Sequence, residues 1–87
     1  MNVQRPHVEL YGSRSCAFTA ELREHLEWQG HPFVEYDVEA DVLAFDRLRQ
    51  LTRGGRAVPL LVENGVVKAV GWLGRSCQVG EPQRHHR

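Results

Sequence analysis

The sequence predicts a small α/β domain with the element order β-α-β-α-β-β, and three features carry that expectation. Val8 to Tyr11 and Phe33 to Val38 alternate apolar and polar residues, as half-buried strands do. Between them Phe18, Leu22 and Leu26 recur every four residues, the spacing of one helix face. Finally, Asn64-Gly65 stands between two apolar runs, and both residues tolerate the positive φ that a two-residue hairpin turn needs.

Each element has its own local signals. The first strand ends at Gly12-Ser13. The helix that follows is expected over 17–29, with Glu21, Arg23, Glu24 and Glu27 off its apolar face; Gly30 stops it and Pro32 prevents continuation. Asp41 is placed to cap a second helix whose apolar positions are Val42, Phe45, Leu48 and Leu51, ending near Gly54-Gly55. Two strands, 59–62 and 66–70, flank the Asn64-Gly65 turn. Beyond Gly71, Trp72 and Leu73 can begin only a short helix, because Gly74, Gly80 and Pro82 oppose a long one. The domain is expected over 1–80, with 81–87 a solvated, flexible tail.

Composition narrows the function. The 87 residues suffice for one domain, with 41% apolar and 25% charged residues. Eleven basic residues balance eleven acidic ones, so no net field favours nucleic acid or an anionic membrane. Arg47, Arg49, Arg53 and Arg56 read as a solvated helix end matching its own dipole. No run approaches the roughly 20 apolar residues of a membrane span. The polar start, Met1 to His7, lacks the apolar middle of a secretory signal, so a cytoplasmic protein is expected. Two cysteines are too few for a disulfide scaffold, and no Cys-x-x-Cys pair suggests zinc. The adjacent tail histidines His85 and His86 are not read as a metal site, and no metal is expected.

Chemistry concentrates around Cys16, which lies between the first strand and the first helix. A thiol there meets unpaired helix N–H groups and the positive end of the helix dipole, which favour the thiolate. Arg14 adds a positive charge nearby, and the Thr19 hydroxyl stands one turn on. The polar neighbours Ser13, Arg14 and Ser15 imply that the sulfur is exposed. A second element is Ala57-Val58-Pro59 at the start of a strand, with Arg56 just before it.

Together, Cys16-Ala-Phe-Thr19, Ala57-Val58-Pro59, the Asn64-Gly65 turn and Gly71-Trp72 resemble, in order and spacing, the glutaredoxin branch of the thioredoxin fold over 8–74. The resemblance implies a thioredoxin-like four-stranded mixed sheet flanked by helices, with the last helix short or absent. It implies Cys16 as nucleophile, with Thr19 in place of the resolving cysteine, and a cis Pro59. It also implies that Val58 pairs through its backbone with the cysteinyl part of glutathione. Arg56 would meet the glycyl carboxylate, and the Gly71 and Trp72 amides would face the γ-glutamyl end. Ser13 stands where many glutaredoxins have lysine, and Leu73, Gly74 and Arg75 replace the acidic and serine residues usual after the Gly-Gly turn.

The function so implied is glutathione-dependent reduction of mixed disulfides by a monothiol mechanism at Cys16. Glutathione would be cosubstrate, and glutathionylated or disulfide-containing proteins the partners, with no nucleic acid, no membrane and a monomeric chain. Two alternatives stay open: a non-catalytic binding module, and an iron–sulfur cluster carrier, for which Phe18 keeps an aromatic while Ala17 replaces a glycine. Cys77 is a candidate resolving cysteine, set against the plainer reading of a semi-exposed thiol in a loose tail.

Overall fold

In the computed structural model, which describes residues 7–83, these signals resolve into β1 (Val8–Gly12), α1 (Ala17–Trp28), β2 (Val34–Asp37), α2 (Val42–Leu51), β3 (Ala57–Val58), β4 (Leu60–Glu63), β5 (Val66–Val70) and β6 (Cys77–Gln78). Four strands form one mixed sheet in the order β2-β1-β4-β5. β1 and β2 are parallel, as a strand pair joined by a crossover helix must be, and the other neighbours are antiparallel. A separate two-stranded sheet joins β3 to β6.

Strand alternation sorts the core into two layers. Leu10 meets Leu22 and Leu26 of α1, with Leu61 and Phe33 packed against them. On the opposite face Leu60 and Val62 meet Phe45 and Leu48 of α2, together with Tyr11, Val38 and Val58. Each fully buried side chain of this kind contributes roughly 1.5–3 kcal/mol of transfer free energy. Asp41 caps α2 as expected, accepting from the N–H groups of Leu43 at 3.0 Å and Ala44 at 3.2 Å. The Asn64-Gly65 turn has positive φ at both residues, 52° and 78°. Asn64 also exchanges two hydrogen bonds with the His7 backbone, which pins the hairpin beside the start of β1.

Two features bring the Cys16 loop against the sheet. Gly12 ends β1 where α1 crosses close above it: a Cβ at Gly12 would lie 2.2 Å from Thr19 Cγ2, so no larger residue fits. The Val58–Pro59 bond is cis, in line with the expectation, and Pro59 separates β3 from β4 rather than opening the strand.

After β5 the last helix, expected to be short or absent, is absent among the described residues. Trp72 and Arg75 instead exchange backbone hydrogen bonds of 2.7 and 3.0 Å around Leu73 (φ 53°) and Gly74 (φ 78°). This is a two-residue hairpin turn, and it reverses the chain before a third helix can nucleate. β6 then runs antiparallel to β3, with Val79 and Pro82 buried. His85 and His86 lie outside the described residues. Among the described residues, no helix is long and apolar enough to cross a membrane.

Candidate active site

Cys16 is the N-cap residue of α1, with extended backbone angles and no side-chain cap, and the first helical turn holds no acidic residue. Its sulfur therefore stands at the positive end of the helix, with no carboxylate in that turn to oppose a thiolate. Yet Cys16 is only 2% exposed, which corrects the exposure inferred from its polar neighbours. Phe18 and Cys77 pack against the buried cluster to which Cys16 belongs.

Cys77 is covalently joined to Cys16. Its sulfur is bonded to Cys16 Sγ, with the two Cα atoms 6.0 Å apart, within the range a disulfide spans. Cys77 is not a thiol in a loose tail: it lies in β6 opposite Val58, and Gln78 lies opposite Ala57. Two residues on, the Val79 N–H donates to Arg56 O at 3.0 Å, and its side chain joins the buried cluster of Cys16, Val58 and Phe45. Cys16 Sγ itself sits 4.0 Å from Val58 O.

The other residues singled out from the sequence fall into two groups. Val58 and Pro59 are buried directly beside the disulfide, in the cis-proline loop expected for them. The remaining side chains and amides have partners inside the chain. Arg14 is largely exposed, with Nε 3.6 Å from Asp37 Oδ2. Thr19 is fully buried, and its hydroxyl oxygen accepts from the Ser13 N–H at 3.3 Å, so it braces the loop from inside. The Arg56 guanidinium lies over the Phe45 ring, 5.7 Å from its centre. The Gly71 N–H donates to Pro59 O at 2.7 Å, and the Trp72 N–H donates to Arg75 O at 2.7 Å. The Trp72 ring packs against His25.

These bonds bear directly on glutathione. The strand edge expected to pair with its cysteinyl residue already pairs with Cys77. The two amides expected to face its γ-glutamyl end bond to carbonyls of this chain. The residues as arranged do not fit glutathione while β6 is in place.

Glu39 was not legible as a site residue. It accepts hydrogen bonds from Ser13 Oγ and from Ser15 Oγ, the latter at 3.3 Å, while Ser13 Oγ accepts from the Ser15 N–H. The Ser13 carbonyl in turn accepts from the Cys16 N–H at 3.1 Å. A carboxylate on the turn after β2 thus holds the loop that leads into Cys16. Nothing in sequence spacing links position 39 to positions 13 and 15. Val79 did leave a trace, since Cys77-Gln78-Val79 alternates as a short strand does. Among the described residues, no group of three or more His, Cys, Asp or Glu is placed to hold a metal ion.

Comparison with known proteins agrees with this geometry. A family model described as Glutaredoxin matches residues 8–68, from β1 into β5. A solved structure, a point mutant of the thioredoxin-like protein BC3987, superposes with a TM-score of 0.66 at 27% identity, covering 72% of this chain and 80% of that one. No curated protein matches in sequence. With the fold, the cis-proline loop and a cysteine at the first helix all in place, the chain belongs to the glutaredoxin family.

Proposed function

We propose that this chain is a thiol–disulfide oxidoreductase that works through two cysteines, with Cys16 as nucleophile and Cys77 as resolving thiol. The observation that carries the reading is the disulfide between a helix N-terminal cysteine and a strand cysteine lying against the cis-proline loop. A cluster carrier would need the Cys16 thiolate that this bond consumes, and a non-catalytic module would use the bridge only as a structural staple.

In the reduced protein, the helix N-terminus favours the Cys16 thiolate, which attacks one sulfur of a substrate disulfide. A mixed disulfide forms on Cys16, and the other substrate sulfur leaves as a thiolate that takes a proton from water. The Cys77 thiolate then attacks Cys16 Sγ, expels the second substrate thiolate and forms the Cys16–Cys77 bond. Two electrons have passed from the enzyme dithiol to the substrate. An external dithiol returns them by attacking Cys77, the less buried of the two cysteines, with Cys16 as leaving group.

Glutaredoxins in general use glutathione as cosubstrate, and disulfide-bearing proteins are the partner class that follows from the reaction. In the oxidised chain the expected glutathione berth on Val58 belongs to β6, so the cycle is written with a protein disulfide as substrate and a dithiol as reductant. The deciding measurement is dithiothreitol-driven reduction of a protein disulfide by wild type, Cys16→Ser and Cys77→Ser. Cys16→Ser should abolish turnover and Cys77→Ser should remove most of it. Retention of most turnover in Cys77→Ser would restore the one-cysteine route, and turnover in Cys16→Ser would end the proposal.

A further inference from the structure

A nucleophile that is 2% exposed cannot meet the disulfide of another protein, so something over Cys16 must move before the first step. The element bonded to Cys16 is β6, which also packs against its cluster, and its construction suits a part that comes and goes. It has only two residues in its ladder, and Leu73, Gly74, Arg75 and Ser76 before it are all exposed. Beyond the main chain, its covalent tie to α1 is the disulfide, which is the bond that a reductant breaks.

The way β6 sits also describes what replaces it. An occupant joined to Cys16 by a disulfide is held as an extended strand antiparallel to Ala57–Val58, with its cysteine opposite Val58. Side chains in a strand alternate, so the residue two places after the cysteine points to the same side. In β6 that residue is Val79, 4% exposed in the cluster with Val58 and Phe45, and its N–H is bonded to Arg56 O. The intervening Gln78 is exposed. The berth therefore demands an apolar side chain two places after the cysteine and is indifferent to the residue between. A charged side chain there would have to desolvate among Val58, Phe45 and Leu60.

We propose that β6 is a tethered occupant of the substrate edge: the oxidised chain is closed by its own Cys-Gln-Val segment, and the reduced chain releases that segment to accept an extended polypeptide with a cysteine followed two places later by an apolar residue. This rests on the two-cysteine reading above and adds a substrate class and a redox-governed closure to it. Glutathione has no residue to place in the Val79 position, so it makes a poorer occupant than a peptide.

The test uses full-length reduced Cys77→Ser and peptides of sequence Arg-Ser-Cys-Gln-Val-Gly whose cysteine carries thionitrobenzoate. Release of the coloured thiolate is followed, and the trapped adduct is located by mass spectrometry. The valine peptide should react with Cys16 about tenfold or more faster than the same peptide with aspartate for valine, and faster than the glutathione–thionitrobenzoate disulfide. Equal rates for the two peptides would overturn the berth while leaving the two-cysteine chemistry standing. No adduct on Cys16 from any of the three disulfides would instead remove the chemistry itself. In the wild type, hydrogen exchange at the Val79 amide should accelerate when dithiothreitol reduces the protein; unchanged protection would overturn the release of β6.

Discussion

Cys77 lies directly across the β3–β6 ladder from Val58, so the sulfur that closes the disulfide is delivered by a backbone pairing rather than by a free loop. That pairing sets the orientation of Cys77 towards the N-terminus of α1. It also joins the end of the domain to its first helix, across a sequence separation of 61 residues.

A bridge closing a loop of that length restricts the unfolded chain strongly, by about 4 kcal/mol on chain-entropy grounds and typically about 2–4 in practice. Cys77→Ser should therefore lower the unfolding free energy by about 2–4 kcal/mol relative to the oxidised wild type. Urea titrations of the two proteins, monitored by far-ultraviolet circular dichroism, provide the comparison. Coincident midpoints would show that the bridge constrains nothing the chain does not already order.

Glu39 anchors Ser13 and Ser15 and, through the Ser13 carbonyl, the amide of Cys16. Replacing its charge in Glu39→Gln should cost about 1 kcal/mol, a modest figure because the side chain is partly solvated. A loss of that size lowers Tm by about 4–8 °C in a domain of this length. The same variant should slow alkylation of reduced Cys16, since the loop that presents the thiolate loosens. A lowered Tm with unaltered alkylation would confine Glu39 to a structural role.

Leu73 holds a positive φ of 53° while its side chain is largely exposed, so it bears backbone strain without burial to offset it. Asparagine adopts that conformation far more readily and suits the first position of this turn. Leu73→Asn is expected to stabilise the protein by about 1 kcal/mol, read as a higher thermal midpoint. A fall in Tm would mean that the leucine makes contacts that outweigh its strain.

Tyr11 is buried at the end of β1 and stacks on Tyr36, 5.0 Å between ring centres. Burial first, and the nearby Glu9 carboxylate second, push its phenol above the ordinary value of 10.0, against a smaller opposing effect of Arg47. With the folded-state value raised, the native protein holds its proton where the unfolded chain has lost it. The stability this provides is complete below the unfolded pKa of about 10 and is lost as pH climbs towards the folded value. Urea midpoints measured upward from pH 9 should fall more steeply for the wild type than for Tyr11→Phe. Parallel profiles would show that Tyr11 is equally protonated in both states.

Most of the frame was readable because its signals are local. The period of Leu22 and Leu26, the cap at Asp41 and the turn at Asn64-Gly65 depend on neighbours within a few residues, and all three stand where the sequence places them. Cys16 at the mouth of α1 was readable for the same reason. The end of the chain was harder. Leucine is a poor match for a left-handed turn position, so the Leu73-Gly74 hairpin carried no usual signature, and β6 behind it was read as the remnant of a helix and a tail.

By itself, then, the sequence determined the order of the helices and main strands, since that follows from periodicity and short-range chemistry, and its motifs in their order and spacing carried the resemblance that implied the family and the cis proline. Only the tertiary structure decided which groups Cys16 meets. The pairing of Cys77 with Val58, the Glu39 carboxylate under the Ser13–Cys16 loop and the burial of Val79 in the cluster that holds Phe45 join residues some 19 to 34 positions apart. Contacts at that separation depend on how the chain reverses at Leu73-Gly74 and how closely α1 approaches Gly12. These are matters of packing geometry, and no local pattern encodes them.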